Sequence, residues 1–166
     1  LLFSGVENLL AVIGYSLQVY LDFSGYTDIA IGISLLMGFR LNTNFNSPYK
    51  AKNTAEFWKR WHISLSTWFR DYVYIPLGGN RVKDIRRYFN IGIVFLLSGI
   101  WHGANWTFVI WGALHGFYII AEDVFYKQNQ DLRNIGNSTV VYIKRFFVFL
   151  LVAFAWIFFR AQSVKD

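Results

Sequence analysis

A histidine, His102, lies in the middle of a long apolar run that extends from about residue 91 to residue 121. Small residues flank it on both sides, and Trp101, Trp106 and Trp111 supply bulk around it. A charged side chain at membrane depth costs about 2.5 kcal/mol or more on insertion scales, so such residues are functional candidates. Our hypothesis for His102 is a proton-transfer site inside the bilayer. The alternative is a neutral imidazole that only hydrogen-bonds one helix to another.

The other two histidines are weaker candidates. His62 follows Trp58 by four residues, and we interpret it as a second site residue that an obliquely inserted helix carries to the centre. The alternative for His62 is an interfacial histidine that a neighbour satisfies. His115 lies thirteen residues after His102, which on a continuous helix is about 220° round and about 20 Å along. The two would then not share a site, and we interpret His115 as structural.

Two acidic residues also interrupt an apolar stretch. Asp22 and Asp28 are six residues apart, about 240° around a helix, so a continuous helix would keep them from forming a paired-carboxylate site. We favour the interpretation that they cap helix segments or pair with a basic residue such as Arg40. The chain has no cysteine, which excludes disulfides, thiolate nucleophiles and cysteine metal sites. No Ser-His-Asp arrangement is present, and no His-Glu-x-x-His spacing suggests a metal.

The composition indicates an integral membrane protein. Hydrophobic residues make up 55% of the chain and charged residues 16%, against about 25% charged in soluble domains. Nine of the sixteen Lys and Arg residues lie between Lys50 and Arg87, which is typical of a cytoplasmic loop beside spanning helices and in reach of anionic lipid headgroups. This distribution argues against nucleic-acid binding. Both ends of the chain look cut, so we expect a fragment of a longer polytopic protein.

The fold class predicted is all-α, with broken and oblique helices around a central site. We expect membrane spans at about residues 6–39, 88–124 and 139–159. The first is about 50 Å long as one helix, longer than a hydrocarbon core of about 30 Å, so it must protrude, tilt or break, and we expect a break at Ser24-Gly25. The second is also too long for one perpendicular helix, and we expect two segments to meet or bend at His102, which Gly99 and Gly103 flank.

Residues 54–74 are predicted to form one interfacial or oblique helix. Its apolar residues recur at spacings of three and four and form one mostly aromatic stripe: Phe57, Trp61, Leu65, Trp68 and Tyr72. Asn53 is its expected N-cap, and Glu56 is expected to pair with Arg60. A turn should follow at Pro76 and Gly78-Gly79. We interpret Arg81, Lys83, Arg86 and Arg87 as solvated anchors and residues 122–138 as a loop.

Three stretches together resemble the membrane-bound O-acyltransferase family: residues 20–32, 57–72 and 99–106. They read Tyr-Leu-Asp-Phe-Ser-Gly-Tyr-Thr-Asp-Ile-Ala-Ile-Gly, Phe-Trp-Lys-Arg-Trp-His-Ile-Ser-Leu-Ser-Thr-Trp-Phe-Arg-Asp-Tyr and Gly-Ile-Trp-His-Gly-Ala-Asn-Trp. Residues 74–81, Tyr-Ile-Pro-Leu-Gly-Gly-Asn-Arg, are similar to the bacterial branch of alginate and peptidoglycan O-acetyltransferases. The resemblance implies a funnel-containing membrane fold of which this chain is the C-terminal part. We therefore do not expect the fragment to act alone.

The resemblance also implies roles for particular residues. His102 corresponds to the family's essential membrane histidine, and His62 to its second well-known polar position. Because a neutral imidazole titrates near working pH, we expect His102 to be the general base and His62 to assist it or position the donor. Asn105 would orient a group or donate to an oxyanion, although a helix-packing role is an equal alternative. Trp101 and Trp61 are expected to support the site by excluding water.

The family analogy implies an acyl thioester such as acetyl-coenzyme A as a cytoplasmic donor substrate, and no bound cofactor or metal. The acceptor would be a polysaccharide or peptidoglycan hydroxyl, or an extracytoplasmic relay partner, reached from a multi-pass protein of the inner membrane. One rival is a transporter or channel subunit, which predicts several polar residues along one helix face. We expect this chain to lack such a face. Another rival is a non-catalytic scaffold for an extracytoplasmic acetyltransferase.

Overall fold

The computed structural model describes residues 4–130 and 137–165, and within these ranges the chain forms helices and turns with no strand. The all-α prediction is therefore confirmed for the described residues. Two of the helices described below, the fifth and the sixth, are long and apolar enough to cross a membrane.

The first helix, α1 (Gly5–Leu36), is continuous, so the predicted break at Ser24-Gly25 is wrong. The hydroxyl of Ser24 donates to the Leu21 carbonyl at 3.3 Å, and that of Thr27 donates to the Ser24 carbonyl at 2.9 Å. Because both polar side chains are satisfied by their own helix, nothing forces it to open. Asp22 and Asp28 are exposed on this unbroken helix and do not cap segments. No ion pair joins either of them to Arg40 in the part of the chain that the structure describes.

The predicted helix over residues 54–74 is instead divided into three parts. Helix α2 (Thr54–Arg60) and helix α3 (Ile63–Phe69) are separated at Trp61 and His62, and one π-helical turn (Arg70–Tyr74) follows α3. The break is stabilised by a segment that is distant in sequence, since residues 44–46 form backbone hydrogen bonds on both sides of it. The Arg60 carbonyl accepts from the backbone N–H of Asn46 at 2.9 Å, and the Asn44 carbonyl accepts from that of Ile63 at 2.9 Å.

The local signals around α2 are confirmed. The Asn53 side chain accepts the Glu56 backbone N–H at 2.7 Å and caps the helix. Glu56 also pairs with Arg60 one turn later, at 2.8 Å. A short 3-10 helix (Pro48–Lys50) precedes α2, and the turn predicted at Pro76 and the two glycines follows the π-helical turn.

The stretch expected as the span 88–124 forms an antiparallel hairpin of two helices, α4 (Asp84–His102) and α5 (Trp106–Gln128). The expected break at His102 is confirmed, since α4 ends there and Gly103 follows with φ +159°. Gly99 and Gly112 have no side chain, so the helix backbones come together. A Cβ on Gly99 would collide with the Phe108 carbonyl, and one on Gly112 with the Phe95 carbonyl. Small residues of this kind allow close packing of membrane helices.

The last helix, α6 (Ser138–Arg160), covers the stretch expected as the span 139–159 and packs against α5 and α1. Its inner face joins an aromatic core whose largest fully buried side chains are Trp111, Trp156 and Phe57. The loop predicted over residues 122–138 differs from the structure, because α5 continues through Gln128. Residues 131–136 lie outside the described residues.

Candidate active site

His102 lies at the tip of the α4–α5 hairpin and is half-buried among aromatic rings. Its ring centroid is 5.0 Å from those of Trp101 and Trp111 and 5.1 Å from that of Phe159. No residue within 4–130 or 137–165 hydrogen-bonds to either ring nitrogen, yet neither nitrogen is enclosed. An imidazole held by hydrocarbon contacts, with its nitrogens accessible, is free to exchange a proton with a small molecule.

His62 lies at the break between α2 and α3, with φ +43° and ψ +56°. A non-glycine residue in this left-handed region is uncommon and costs about 1–3 kcal/mol, and such strain clusters at functional sites. Asn44 supports the conformation from the other side of the break. Its Oδ1 accepts the Ser64 backbone N–H at 3.1 Å and lies 3.3 Å from Nδ1 of His62.

The Asn44 contact favours one tautomer of His62. Because Oδ1 is an acceptor, it is matched by Nδ1 as the donor, and the neutral ring of that tautomer carries its lone pair on Nε2. Burial lowers the pKa of His62 below its usual value, which favours this neutral form. The ring of Phe23 packs edge-on against it, with centroids 4.7 Å apart. His62 therefore presents one hydrogen-bond acceptor in a defined direction.

The structure connects His62 to His102 through a series of ring contacts. Phe23 packs against His62, and Phe45 packs against both Phe23 and Trp61. Trp156 continues this series towards His102. Its ring centroid is 5.1 Å from that of Trp61 and 5.2 Å from that of Phe159, which in turn contacts His102. Two histidines that are 40 positions apart in sequence thus face one aromatic cluster.

The supporting residues take different positions. Trp61 is 4% exposed and belongs to the core, whereas Trp101 is 60% exposed and covers one side of His102. Asn105 caps α5 by accepting the Thr107 backbone N–H at 3.2 Å. Its amide nitrogen also donates to the Gln162 carbonyl at 2.8 Å. Asn105 therefore holds the hairpin tip to the segment after α6. These contacts match a packing role, which is the alternative to a catalytic role for this residue.

His115 is closer to the site than the sequence indicates. It is fully buried, and its Nδ1 accepts the indole N–H of Trp58 at 3.3 Å. The centroid of Trp111 is 5.0 Å from those of both His102 and His115, so one indole separates the two imidazoles. The argument from a continuous helix does not apply, because the chain reverses at residues 103–105.

Contrary to our expectation, polar residues do follow one face of α5. Thr107, His115, Tyr118 and Glu122 lie within an arc of about 80°. Three of these groups, Thr107, His115 and Tyr118, are buried in the packed structure, whereas Glu122 borders a cavity. Glu122 accepts both the backbone N–H and the hydroxyl of Thr54, at 2.7 and 2.6 Å. His115 is held by Trp58, as described above, and Thr107 is fully buried.

Two cavities adjoin the starts of α2 and α4. The first is polar, measures about 480 Å³, and has charged residues in its lining: Lys52, Arg87, Glu122, Asp123 and Lys144. The second is mostly apolar, measures about 260 Å³, and reaches Ser98, which precedes His102 by one helical turn. Both are lined by Ala55, Tyr74, Ile91 and Ile119. Together they form a polar mouth and an apolar extension along α4.

The membrane-bound O-acyltransferase family matches residues 2–161, nearly the whole chain. The chain belongs to this family of membrane-bound O-acyltransferases, as the three stretches of sequence predict.

Within the family, the chain is similar to bacterial O-acetyltransferases and, at lower identity, to a bacterial D-alanyltransferase. It is 49% identical over 156 residues to the probable alginate O-acetylase AlgI of Azotobacter vinelandii, covering 93% of this chain and 30% of that protein. It is 46% identical over 163 residues to the peptidoglycan O-acetyltransferase of Helicobacter pylori, covering 98% of this chain and 30% of that protein. The teichoic acid D-alanyltransferase of Bacillus subtilis is 38% identical over 138 residues, which cover 79% of this chain and 35% of that protein. The chain thus spans about a third of the length of these relatives.

Proposed function

We propose that the intact protein is a multi-pass O-acyltransferase of the inner membrane that transfers an acetyl group to a hydroxyl of a cell-envelope glycan. Family membership supports acyl transfer, and the similarity to the alginate and peptidoglycan enzymes supports an acetyl group and a glycan acceptor. The relatives are named for different polymers, so the acceptor class proposed is a polysaccharide or peptidoglycan hydroxyl, or an extracytoplasmic partner that relays the acetyl group.

The observation that carries the proposal is the state of His102. Its ring is fixed by Trp101, Trp111 and Phe159, while its nitrogens have no protein partner in the described ranges and stay accessible. A histidine with a purely structural role is expected to use a ring nitrogen in a hydrogen bond, as His115 does at Nδ1 with Trp58, although its Nε2 is buried without a partner among the described residues. His102 is thus placed to bind a group that comes from outside the chain.

The chemistry proposed for His102 is general base catalysis. Its neutral imidazole takes the proton of the acceptor hydroxyl while the oxygen attacks the thioester carbonyl, forming the new C–O bond. The C–S bond then breaks, and the leaving thiolate takes the proton back from the imidazolium. The products are the acetyl ester and the free thiol, so no proton is gained or lost. The surrounding indole and phenyl rings limit the water that would otherwise hydrolyse the thioester.

His62 is proposed to assist this reaction as a positioning group. The Asn44 contact leaves Nε2 of the neutral ring as an acceptor that faces away from the residues 44–46 loop. An acceptor near His102 can orient the hydroxyl or amide groups of a donor. The backbone strain at His62 is consistent with this role, because it keeps the ring at the break instead of in a helix.

The two adjoining cavities are proposed as the route of the thioester donor, with acetyl-coenzyme A or another acyl thioester as its chemical class. The polar mouth lies at the end of the fold where basic residues concentrate, which by the positive-inside tendency is the cytoplasmic side. The apolar extension suits a narrow acyl arm and ends one helical turn from His102. The acceptor would then approach His102 from the opposite side.

The proposal is tested by glycan O-acetylation in cells that express the full-length protein with His102→Ala or His102→Gln. We expect acetylation to be lost while the variants remain in the membrane at wild-type abundance. Wild-type acetylation in these cells would instead favour a scaffold for a separate acetyltransferase. The matched control is His115→Gln, which changes another buried histidine and should keep measurable acetylation.

A further inference from the structure

The start of α4 carries an apolar edge that the described parts of the chain leave uncovered. Ile85 is 85% exposed and Phe89 is 57% exposed. They are four positions apart, so both side chains project from the same face of the helix. This pair differs from most of the other exposed apolar side chains because it lies in the first two turns of α4, next to several charged residues.

Three basic residues lie within eight positions of this edge in the sequence: Arg81, Lys83 and Arg86. All three are exposed, and none forms an ion pair with any residue in 4–130 or 137–165. Their neighbours behave differently, because Arg87 pairs with Asp123, and Lys127 pairs with Asp84 at 2.6 Å. The acids near the start of α4 are therefore already neutralised, and the three cations are a local excess of positive charge.

The cations and the apolar edge are physically coupled. The guanidinium carbon of Arg86 lies 5.5 Å from the centroid of the Phe89 ring, which is within the range of a cation–π contact. This contact holds the Arg86 charge directly at the border of the apolar edge. Positive charge beside exposed aliphatic and aromatic side chains matches a lipid surface, where phosphates lie next to hydrocarbon.

We propose that the start of α4 binds anionic phospholipids, with Ile85 and Phe89 inserted below the phosphates and with Arg81, Lys83 and Arg86 paired to them. Arg86 and His102 are sixteen residues apart on one helix, which is about 24 Å along its axis. The lipid surface is therefore distant from His102, shares no lining residue with the two cavities, and does not depend on the proposed function. An acidic protein is the competing occupant, because it would also neutralise the three cations.

The experiment uses the full-length protein in nanodiscs of phosphatidylcholine, with and without phosphatidylglycerol. In a cysteine-free background, Ile85→Cys is labelled with a fluorophore, and quenching is compared between nitroxide-labelled phosphatidylglycerol and nitroxide-labelled phosphatidylcholine. We expect stronger quenching by the anionic lipid. The triple variant Arg81→Gln/Lys83→Gln/Arg86→Gln should weaken this preference by about fivefold for each charge removed. Lys50→Gln removes an exposed lysine that has no exposed apolar neighbour and should leave the preference unchanged.

Three results would overturn the proposal. The first is equal quenching by the two lipids, and the second is a preference that survives the triple substitution. The third is a label at position 85 that no lipid-borne quencher reaches, which would show that protein covers this edge. A melting temperature that rises with phosphatidylglycerol in the wild type and in Lys50→Gln, but not in the triple variant, would support the proposal independently of the label.

Discussion

Trp58 of α2 donates its indole N–H to Nδ1 of His115 in α5, across 3.3 Å and 57 positions of sequence. The indole is a donor only, so His115 is an acceptor at Nδ1 and carries its own proton on Nε2. His115 contacts Trp111, and Trp111 contacts His102. Together with the two bonds from Thr54 to Glu122, this hydrogen bond holds α2 against the hairpin. It therefore helps to set the distance between the segment that carries His62 and the helix tip that carries His102.

The first prediction concerns this bond. His115→Phe should leave the Trp58 N–H buried without a partner and destabilise the fold by about 1–3 kcal/mol. Trp58→Phe should cost less in the His115→Phe background than in the wild type, because only the packing of its ring and not the hydrogen bond is then lost. The measurement is a double-mutant cycle on thermal unfolding of the full-length protein in detergent. Additive losses from the two single substitutions would show that the bond contributes nothing.

A second measurement separates positioning from stability at the same pair. If the bond sets the relation of His62 to His102, His115→Phe should lower kcat more than it changes the KM for the thioester donor. His115→Gln keeps an acceptor and should recover part of kcat. Equal kcat values for His115→Phe and His115→Gln would mean that His115 only stabilises the fold.

The next prediction concerns the glycine contacts of the α4–α5 hairpin. Gly112→Ala places a Cβ against the Phe95 carbonyl, and Gly99→Ala places one against the Phe108 carbonyl. Because backbone must move in both cases, each substitution should destabilise the protein by about 1–3 kcal/mol. Gly25→Ala in α1 is the control, since a Cβ there meets nothing within 4 Å. Melting temperatures that fall as much for Gly25→Ala as for Gly112→Ala would contradict close packing of the hairpin.

Asn44 offers a test of the break that carries His62. Asn44→Ala removes the acceptor of the Ser64 N–H, the Ser64 hydroxyl and the His62 ring. We expect the ring of His62 to lose its direction and the rate of acetyl transfer to fall by about 10-fold or more, as expected for a misplaced group. Asn44→Asp keeps an acceptor oxygen and should retain more activity. Activity in Asn44→Ala that matches the wild type would show that the direction of His62 is unimportant.

The buried carboxylate of Glu122 gives a prediction for the other end of the fold. Thr54 donates two hydrogen bonds to one carboxylate oxygen, and Thr54→Val removes the hydroxyl one while it preserves the shape. The loss of a hydrogen bond to a charged group should cost about 1.5–3 kcal/mol. Thermal unfolding checks this, with Thr139→Val at the exposed start of α6 as the control. No difference between the two variants would mean that Thr54 does not hold Glu122.

Local signals in this chain predict local structure well. The cap at Asn53 and the Glu56–Arg60 pair lie within one or two helical turns, so the sequence alone determines them. The interruption of the apolar run at His102 is also local, because Gly103 takes a positive φ there. The predicted break in α1 failed for a related reason, since Ser24 and Thr27 bond back to their own helix.

Long-range contacts account for what the sequence could not predict. The break at Trp61 and His62 is stabilised by residues 44–46, which no periodic pattern connects to it. The sequence does not predict the polar face of α5, because its hydrogen-bond partners are distant. Thr54 lies 68 positions before Glu122, and Trp58 lies 57 positions before His115. The prediction of a structural role for His115 rests on the premise of one continuous helix. The hairpin turn removes that premise and places His115 one indole away from His102.

The measurement that tests the central claim most directly is acetyl transfer by the purified full-length protein carrying His102→Gln. If His102 is the base, the rate should fall by about 10²–10⁴-fold, the usual contribution of general base catalysis, while the KM for the thioester donor stays close to that of the wild type. A His102→Gln protein that folds, binds the donor and transfers acetyl groups at the wild-type rate would contradict the account.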